Sequence, residues 1–210
     1  MKGILELLRH KTPPRREGDK TDSVLFTTAF AGQGVDPAML IPWEARAVEV
    51  GARKLATARG TKLLQGLWAK DKYMALLDAD AVRRMERYFE FATVPTNRDI
   101  IRQDEYGNFM IVLLSGTIAV DRVQPWGEHL RLAETRPGDI LGEMSLLDSG
   151  IRFSACTTLT ECEVAVLSAE AMDDMVGGDP QLAASLIALL ARKLSLRLRV
   201  VSARLSDNQK

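Results

Sequence analysis

The residues with the clearest chemical potential in this chain are Gly142-Glu143-Met144-Ser145-Leu146-Leu147 and, a short loop later, Arg152-Phe153-Ser154. Glycine has no Cβ, so Gly142 lets the main chain come close to a ligand. The residues after it are compatible with a short helix, and the first turn of a helix leaves N–H groups without internal partners, which suits an anion. Arg152 adds a planar, charged fork that matches a phosphate. Glu143 can accept a hydrogen bond from a sugar hydroxyl. Combined, these groups would hold one sugar phosphate. The plainer alternative is a helical turn with a surface Glu and a surface Arg.

Catalysis finds no comparable support. The two histidines, His10 and His129, stand apart from any Ser, Cys or carboxylate pattern that suggests a triad. There is no Walker loop and no metal-binding helix motif. Gly32-Gln33-Gly34 opens like a dinucleotide loop, but Pro37 occupies the place of the third glycine and no clear strand precedes it. Cys156 and Cys162 fall in strand-like runs without zinc or disulfide spacing, so buried free thiols are expected. Glu143 and Arg152 have no evident nucleophile beside them. The chain therefore reads as a binding protein rather than an enzyme, with neither metal nor cofactor.

The elements that must position these residues follow from composition and period. With 210 residues, 46% of them hydrophobic and 27% charged, the chain can build one good-sized domain plus an extension. The 28 basic and 28 acidic side chains cancel, so generic polyanion binding has no global support, although both ends are locally basic. No segment reaches the length of a membrane span, and Ile4-Leu5-Glu6-Leu7-Leu8 is too short and too charged for a signal-peptide core, which points to a cytoplasmic protein. Residues 1–40 read as a flexible or accessory segment, with a linker at Pro13–Lys20 and a small apolar patch at Val24-Leu25-Phe26 and Ala29-Phe30 that docks on a partner or on the chain's own core. Residues 41–75 read as a helical extension, broken at Gly60, with Thr61 capping a second piece. Asp78 caps a further helix, from Ala79 to about Tyr88. From Phe91 to Leu167 short Val/Ile/Leu runs alternate with Gly107-Asn108, Ser115-Gly116, Pro125-Trp126-Gly127 and Pro137-Gly138, the pattern of an antiparallel all-β unit whose last hairpin is Phe153–Leu159 with Cys162–Ser168. After a short helix at Ala169–Met175, Asp179-Pro180 starts a long one. Its stripe of Ile187, Leu190, Leu194, Leu198, Val201 and Leu205 covers the β unit or pairs with a second copy.

The Gly142 segment resembles the phosphate-binding cassette of cyclic nucleotide-binding domains, usually Phe-Gly-Glu-Leu-Ala-Leu, a variable loop, then Pro-Arg-Ala-Ala. Ile100–Met110 is similar to the hairpin block of that family, Val112-Leu113-Leu114-Ser115-Gly116 to the strand after it, and Arg136-Pro137-Gly138-Asp139-Ile140-Leu141 to the lead-in of the cassette. The blocks occur in family order across roughly 76–205. Asp104 replaces the usual turn Gly, Leu141 the usual Phe, Ile151 the usual Pro, and Phe153 a small residue. A shifted register would put Phe153 on the Arg position with Ser154-Ala155 after it; the distance from Gly142 favours Arg152.

The resemblance implies an α+β protein. Its centre is an antiparallel eight-stranded β-roll, a jelly-roll-like double-stranded β-helix, with flanking N-terminal helices and a long C-terminal helix. The domain would span 76–206, with a tail at 207–210. It also implies roles. Arg152 and the N–H groups of Met144 and Ser145 hold a cyclic phosphate, with Ser154 adding a hydroxyl. Glu143, with the Gly142 backbone, takes the ribose 2′-hydroxyl. Leu132 and the final helix flank the base, and Arg197 lies near the base contact. Guanine-preferring members often place Thr after the Arg, which Phe153 cannot imitate, so cyclic AMP is expected ahead of cyclic GMP. The other reading is an interaction scaffold that binds no mononucleotide, supported by Phe153 and Ile151, or a domain for cyclic di-GMP. Transcription factors of this superfamily carry a helix-turn-helix after the long helix, and five residues after Leu205 cannot build one. The expected output is therefore a partner protein, not sequence-specific DNA, with a possible homodimer through the last helix.

Overall fold

The structure, a computed structural model, describes residues 25–71 and 79–207. Helices α1 (Phe26–Gly32), α2 (Trp43–Val50), α3 (Thr57–Trp68) and α4 (Ala79–Glu86) precede the sheets, apart from strand β1 (Arg53–Lys54) between α2 and α3. Then come β2 (Glu90–Val94), β3 (Asp99–Ile101), β4 (Phe109–Ser115), β5 (Ile118–Val123), β6 (His129–Glu134), β7 (Ile140–Leu141), α5 (Glu143–Asp148), β8 (Ala155–Thr158), β9 (Cys162–Ser168), α6 (Ala169–Gly178) and α7 (Pro180–Asp207). The strands form two antiparallel sheets, in the orders β1-β2-β9-β4-β7 and β3-β8-β5-β6. Strands β2–β9 are the expected eight-stranded roll, and β1 adds a short edge to it.

β4 shows why the roll has two cores. Its side chains alternate between faces. Phe109, Ile111 and Leu113 join Val94, Ile100, Ile118 and Val164 between the sheets. Met110, Val112 and Leu114 join Leu64, Trp68, Met85, Leu186 and Leu190 under the helices. A strand covered on both faces reads as a continuous apolar run, as this one does. Each fully buried side chain of this size contributes about 1.5–3 kcal/mol. Cys156 and Cys162 are buried free thiols, and burial pushes the Cys156 thiol up to about 12.

Several expectations need correction. The helical extension breaks at Gly51, left-handed at φ 67°, and α3 runs straight through Gly60, which packs on the Phe91 ring. Strands β8 and β9 are no hairpin: β8 pairs with β3 and β5, β9 with β2 and β4. The Leu159–Glu161 link turns a corner between sheets. The apolar patch at the front of the described chain docks on its own core. Phe26 and Phe30 are buried, and the Asp173 carboxylate of α6 accepts from the N–H groups of Leu25, Phe26 and Thr27 at 2.7–2.9 Å. Asp179 caps α7 as expected, accepting from Leu182 N–H at 3.3 Å. The apolar stripe of α7 is buried only in its first half; Leu198 is exposed, and so is Val201. Residues 1–24, Asp78 and the Leu205 side chain lie outside the described residues.

Candidate ligand-binding site

β7 delivers the chain to Gly142, which starts α5 at φ 74°, a left-handed conformation that costs an L-residue energy and glycine little. The second reason for glycine is Arg152. A Cβ on Gly142 would lie 2.6 Å from Arg152 Nη1, and one on Gly107 would lie 2.6 Å from Arg152 Nη2. The guanidinium is thus seated between two glycines. It donates from Nη1 to Gly142 O and from Nη2 to Phe109 O, each at 2.7 Å, and its Cζ lies 4.7 Å from the centre of the Phe109 ring. Arg152 is only 3% exposed. Burial lowers its pKa well below the usual arginine value, to about 10, and the neighbouring Arg46 lowers it too, against Cys156, Glu143 and Glu105. A buried cation whose bonds go to neutral carbonyls, with no carboxylate in direct contact, is well disposed toward an anion.

Glu143 is buried on the first turn of α5. Its carboxylate is taken by Arg197 of α7, which also donates from Nη2 to Ile140 O at 2.9 Å. Ser145 is buried beside it, Met144 is exposed, and Ser154 is half-buried. Phe153 is half-exposed, and Arg122 lies over its ring at 4.0 Å while donating to Phe153 O. Leu132 sits on the exposed edge strand β6, at a register shift that leaves it between Arg131 and Ala133, the partners of Asp121 and Val120. The structure thus brings Gly142, Glu143, Arg152 and Arg197 into one connected cluster, with Phe153 stacked against Arg122. A cleft of about 500 Å³ between α2, β1 and β2 is lined by none of these residues.

The matched segment decides what such a cluster belongs to. Residues 92–179, from β2 to the end of α6, match the family model described as the cyclic nucleotide-binding domain. This chain carries a cyclic nucleotide-binding domain. The domain is similar to the Cyclic AMP receptor protein of Thermus thermophilus, 30% identical over 136 residues that cover 65% of this chain and 58% of that one. It is similar to a CRP-like cAMP-activated global transcriptional regulator of Mycobacterium tuberculosis, 25% identical over 118 residues covering 56% and 53%. A solved cyclic nucleotide-binding domain from Methylobacillus flagellatus superposes with a TM-score of 0.67 at 22% identity, covering 73% of this chain and 86% of that one. The chain spans about half the length of the curated relatives it matches. Among the described residues no helix is long and apolar enough to cross a membrane, and no group of side chains could hold a metal ion.

Sequence reasoning missed the residues that seat Arg152. Gly107 and Phe109 were legible only as members of the hairpin block. Glu105 accepts Arg152 N–H through its main-chain oxygen at 2.8 Å, which no side-chain pattern reveals. Asp104, in place of the usual glycine, keeps the left-handed turn at φ 65°, and its N–H donates to Arg152 O.

Proposed function

We propose that this domain is a sensor of a cyclic mononucleotide, cyclic AMP ahead of cyclic GMP, and that it regulates a partner protein without catalysing a reaction. The observation that carries the reading is the Arg152 seat: a buried cation between two glycines, nine residues after a buried Glu143 whose type suits a sugar hydroxyl. In this reading Arg152, with the N–H groups of Met144 and Ser145, takes the cyclic phosphate, and Ser154 adds a hydroxyl. Glu143 takes the 2′-hydroxyl, and Leu132 and α7 flank the base. The ligand reaches Glu143 by competing with Arg197, so ligand occupancy and the position of α7 are linked. The change is read at α7 by a partner in the cytoplasm, or across a homodimer. The relatives named for cyclic AMP support that nucleotide, and Phe153 in place of a hydroxyl donor disfavours cyclic GMP.

A second reading is favoured by the pair Phe153 and Arg122. Their stack beside Arg152 suits either a cyclic dinucleotide such as cyclic di-GMP, whose second base would stack there, or a scaffold that takes no nucleotide. Calorimetric titration with cyclic AMP, cyclic GMP and cyclic di-GMP, repeated on Arg152→Ala, separates the readings. Micromolar binding of a mononucleotide, about −8 kcal/mol, lost in the variant, supports the sensor. No binding of any of the three overturns it.

A further inference from the structure

The segment that precedes the matched domain reaches the arginine seat. The loop between β3 and β4 lies between that segment and Arg152, and it is pinned on both sides. On one side Ile41 N–H donates to Tyr106 O at 2.9 Å, and Leu40 forms a β-bridge with Tyr106. On the other, Tyr106 bridges Ile151, and Arg152 N–H donates to Glu105 O. Two side chains of α2 continue the link. Arg46 is 1% exposed and pairs with Glu49 at 2.6 Å and with Glu105. Trp43 packs edge-on against Phe109, ring centres 5.6 Å apart, and Phe109 is the ring against which Arg152 stacks.

A buried guanidinium is a costly way to fasten a helix, because desolvation opposes it and an apolar residue could fill the same space. Among the described residues Arg46 Nε finds no acceptor, which adds to that cost. What Arg46 supplies, and an apolar residue could not, is a fixed Glu105, the residue whose main chain accepts from Arg152.

We propose that Arg46 and Trp43 are positioning residues of the ligand site: acting through Glu105 and Phe109, they hold Arg152 in its seat, so the site extends well before residue 92. The effect on ligand affinity rests on the sensor reading; the effect on Arg152 itself does not.

The test uses the full chain and the variants Arg46→Met, Arg46→Lys, Glu105→Gln and the Arg46→Met/Glu105→Gln pair. Three quantities are measured: cyclic AMP affinity by calorimetry, thermal unfolding, and the nitrogen-15 signal of the Arg152 Nε–H. Arg46→Met and Glu105→Gln each weaken cyclic AMP roughly tenfold, and the pair weakens it no further, because both act on one link. Arg46→Lys recovers part of the loss, and the Arg152 signal shifts in both single variants. Wild-type affinity and an unmoved Arg152 signal in folded variants overturn the proposal. So does a loss in the pair equal to the product of the single losses. If Arg46→Met does not fold, Glu105→Gln decides, since that side chain is 28% exposed and the change leaves no cavity. If the wild type binds no nucleotide, the sensor reading falls, and the Arg152 signal still decides the positioning.

Discussion

Arg197, on the exposed half of α7, closes on Glu143, the buried carboxylate that opens α5. A sugar hydroxyl that reaches Glu143 meets an acceptor already engaged by a cation. A neutral hydroxyl cannot replace a charge-assisted bond without loss, so the contact holds affinity down until the ligand disturbs it. Arg197 is half-exposed, which limits the contact to about 1 kcal/mol, or roughly fivefold in affinity. Arg197→Gln is therefore expected to tighten cyclic AMP by that factor. The 2′-deoxy analogue, which has no hydroxyl for Glu143, should show no gain. Calorimetry on both ligands checks this, and equal gains would mean that Arg197 acts on something other than Glu143.

Gly107 and Gly142 both touch Arg152, but their substitutions should differ. Gly142→Ala forces a side chain into φ 74° and sets its Cβ 2.9 Å from Ile101 Cδ1 as well as 2.6 Å from Arg152. It should cost about 2–4 kcal/mol of stability together with ligand binding. For Gly107→Ala the three nearest atoms all belong to the guanidinium, the far end of a flexible side chain that can swing away. It should lose binding while thermal unfolding moves little. A Gly107→Ala protein that binds like wild type would show that the Arg152 seat is irrelevant to the ligand.

The β-roll was legible because turn residues and period-2 runs mark each strand, and β4 announces its double burial by six apolar residues in a row. The cassette was legible because Gly142, Glu143 and Arg152 follow the Ile100–Met110, Val112–Gly116 and Arg136–Leu141 blocks in family order; alone they read equally as a helical turn with a surface Glu and a surface Arg. Gly60 misled because glycine in a helix pattern signals a break, whereas here it lets α3 lie against Phe91: an added Cβ would sit 2.3 Å from that ring. Such a reason belongs to packing between distant segments and leaves no local trace. The partners of β8 and the Arg46–Glu105 link were hidden for the same reason. The exposed far half of α7 looked like a covering helix because amphipathic spacing does not say what it covers.

The pKa of Arg152 gives the site a pH dependence. Burial lowers it to about 10, so the guanidinium is charged through neutral pH and loses its proton as pH rises past that value. Affinity for a cyclic phosphate should be flat between about pH 7 and 9 and fall as pH rises through about 10. Unfolding by this group is not the cause. The unfolded arginine keeps its proton to a higher pH than the buried one, so between the two values the unfolded state binds more protons and this group's contribution to stability rises with pH. A bound anion favours the charged form, so titrations near pH 10 in buffers of different ionisation enthalpy should show proton uptake on binding. Affinity that does not change through pH 10 would remove Arg152 from the phosphate.

The far half of α7 sets the last prediction. Residues 195–203 are exposed, yet they include Leu196, Leu198, Val200 and Val201. A lone amphipathic segment of that length is marginal in water, because most helical stability in proteins comes from packing one face. Leu194, Leu198 and Val201 follow the four-then-three spacing that a two-helix seam requires. Two copies of α7 packed along that seam would cover it and leave Arg197 free to reach Glu143. Sedimentation of the full chain should then give a dimer, and Leu198→Glu with Val201→Glu should give a monomer. The variant should keep its β-roll intact, because among the described residues none of the buried core lies beyond Leu190. If the wild type is monomeric at tens of micromolar, the stripe is left for a different protein to cover, and a titrating partner should protect the amide hydrogens of 195–203 from exchange.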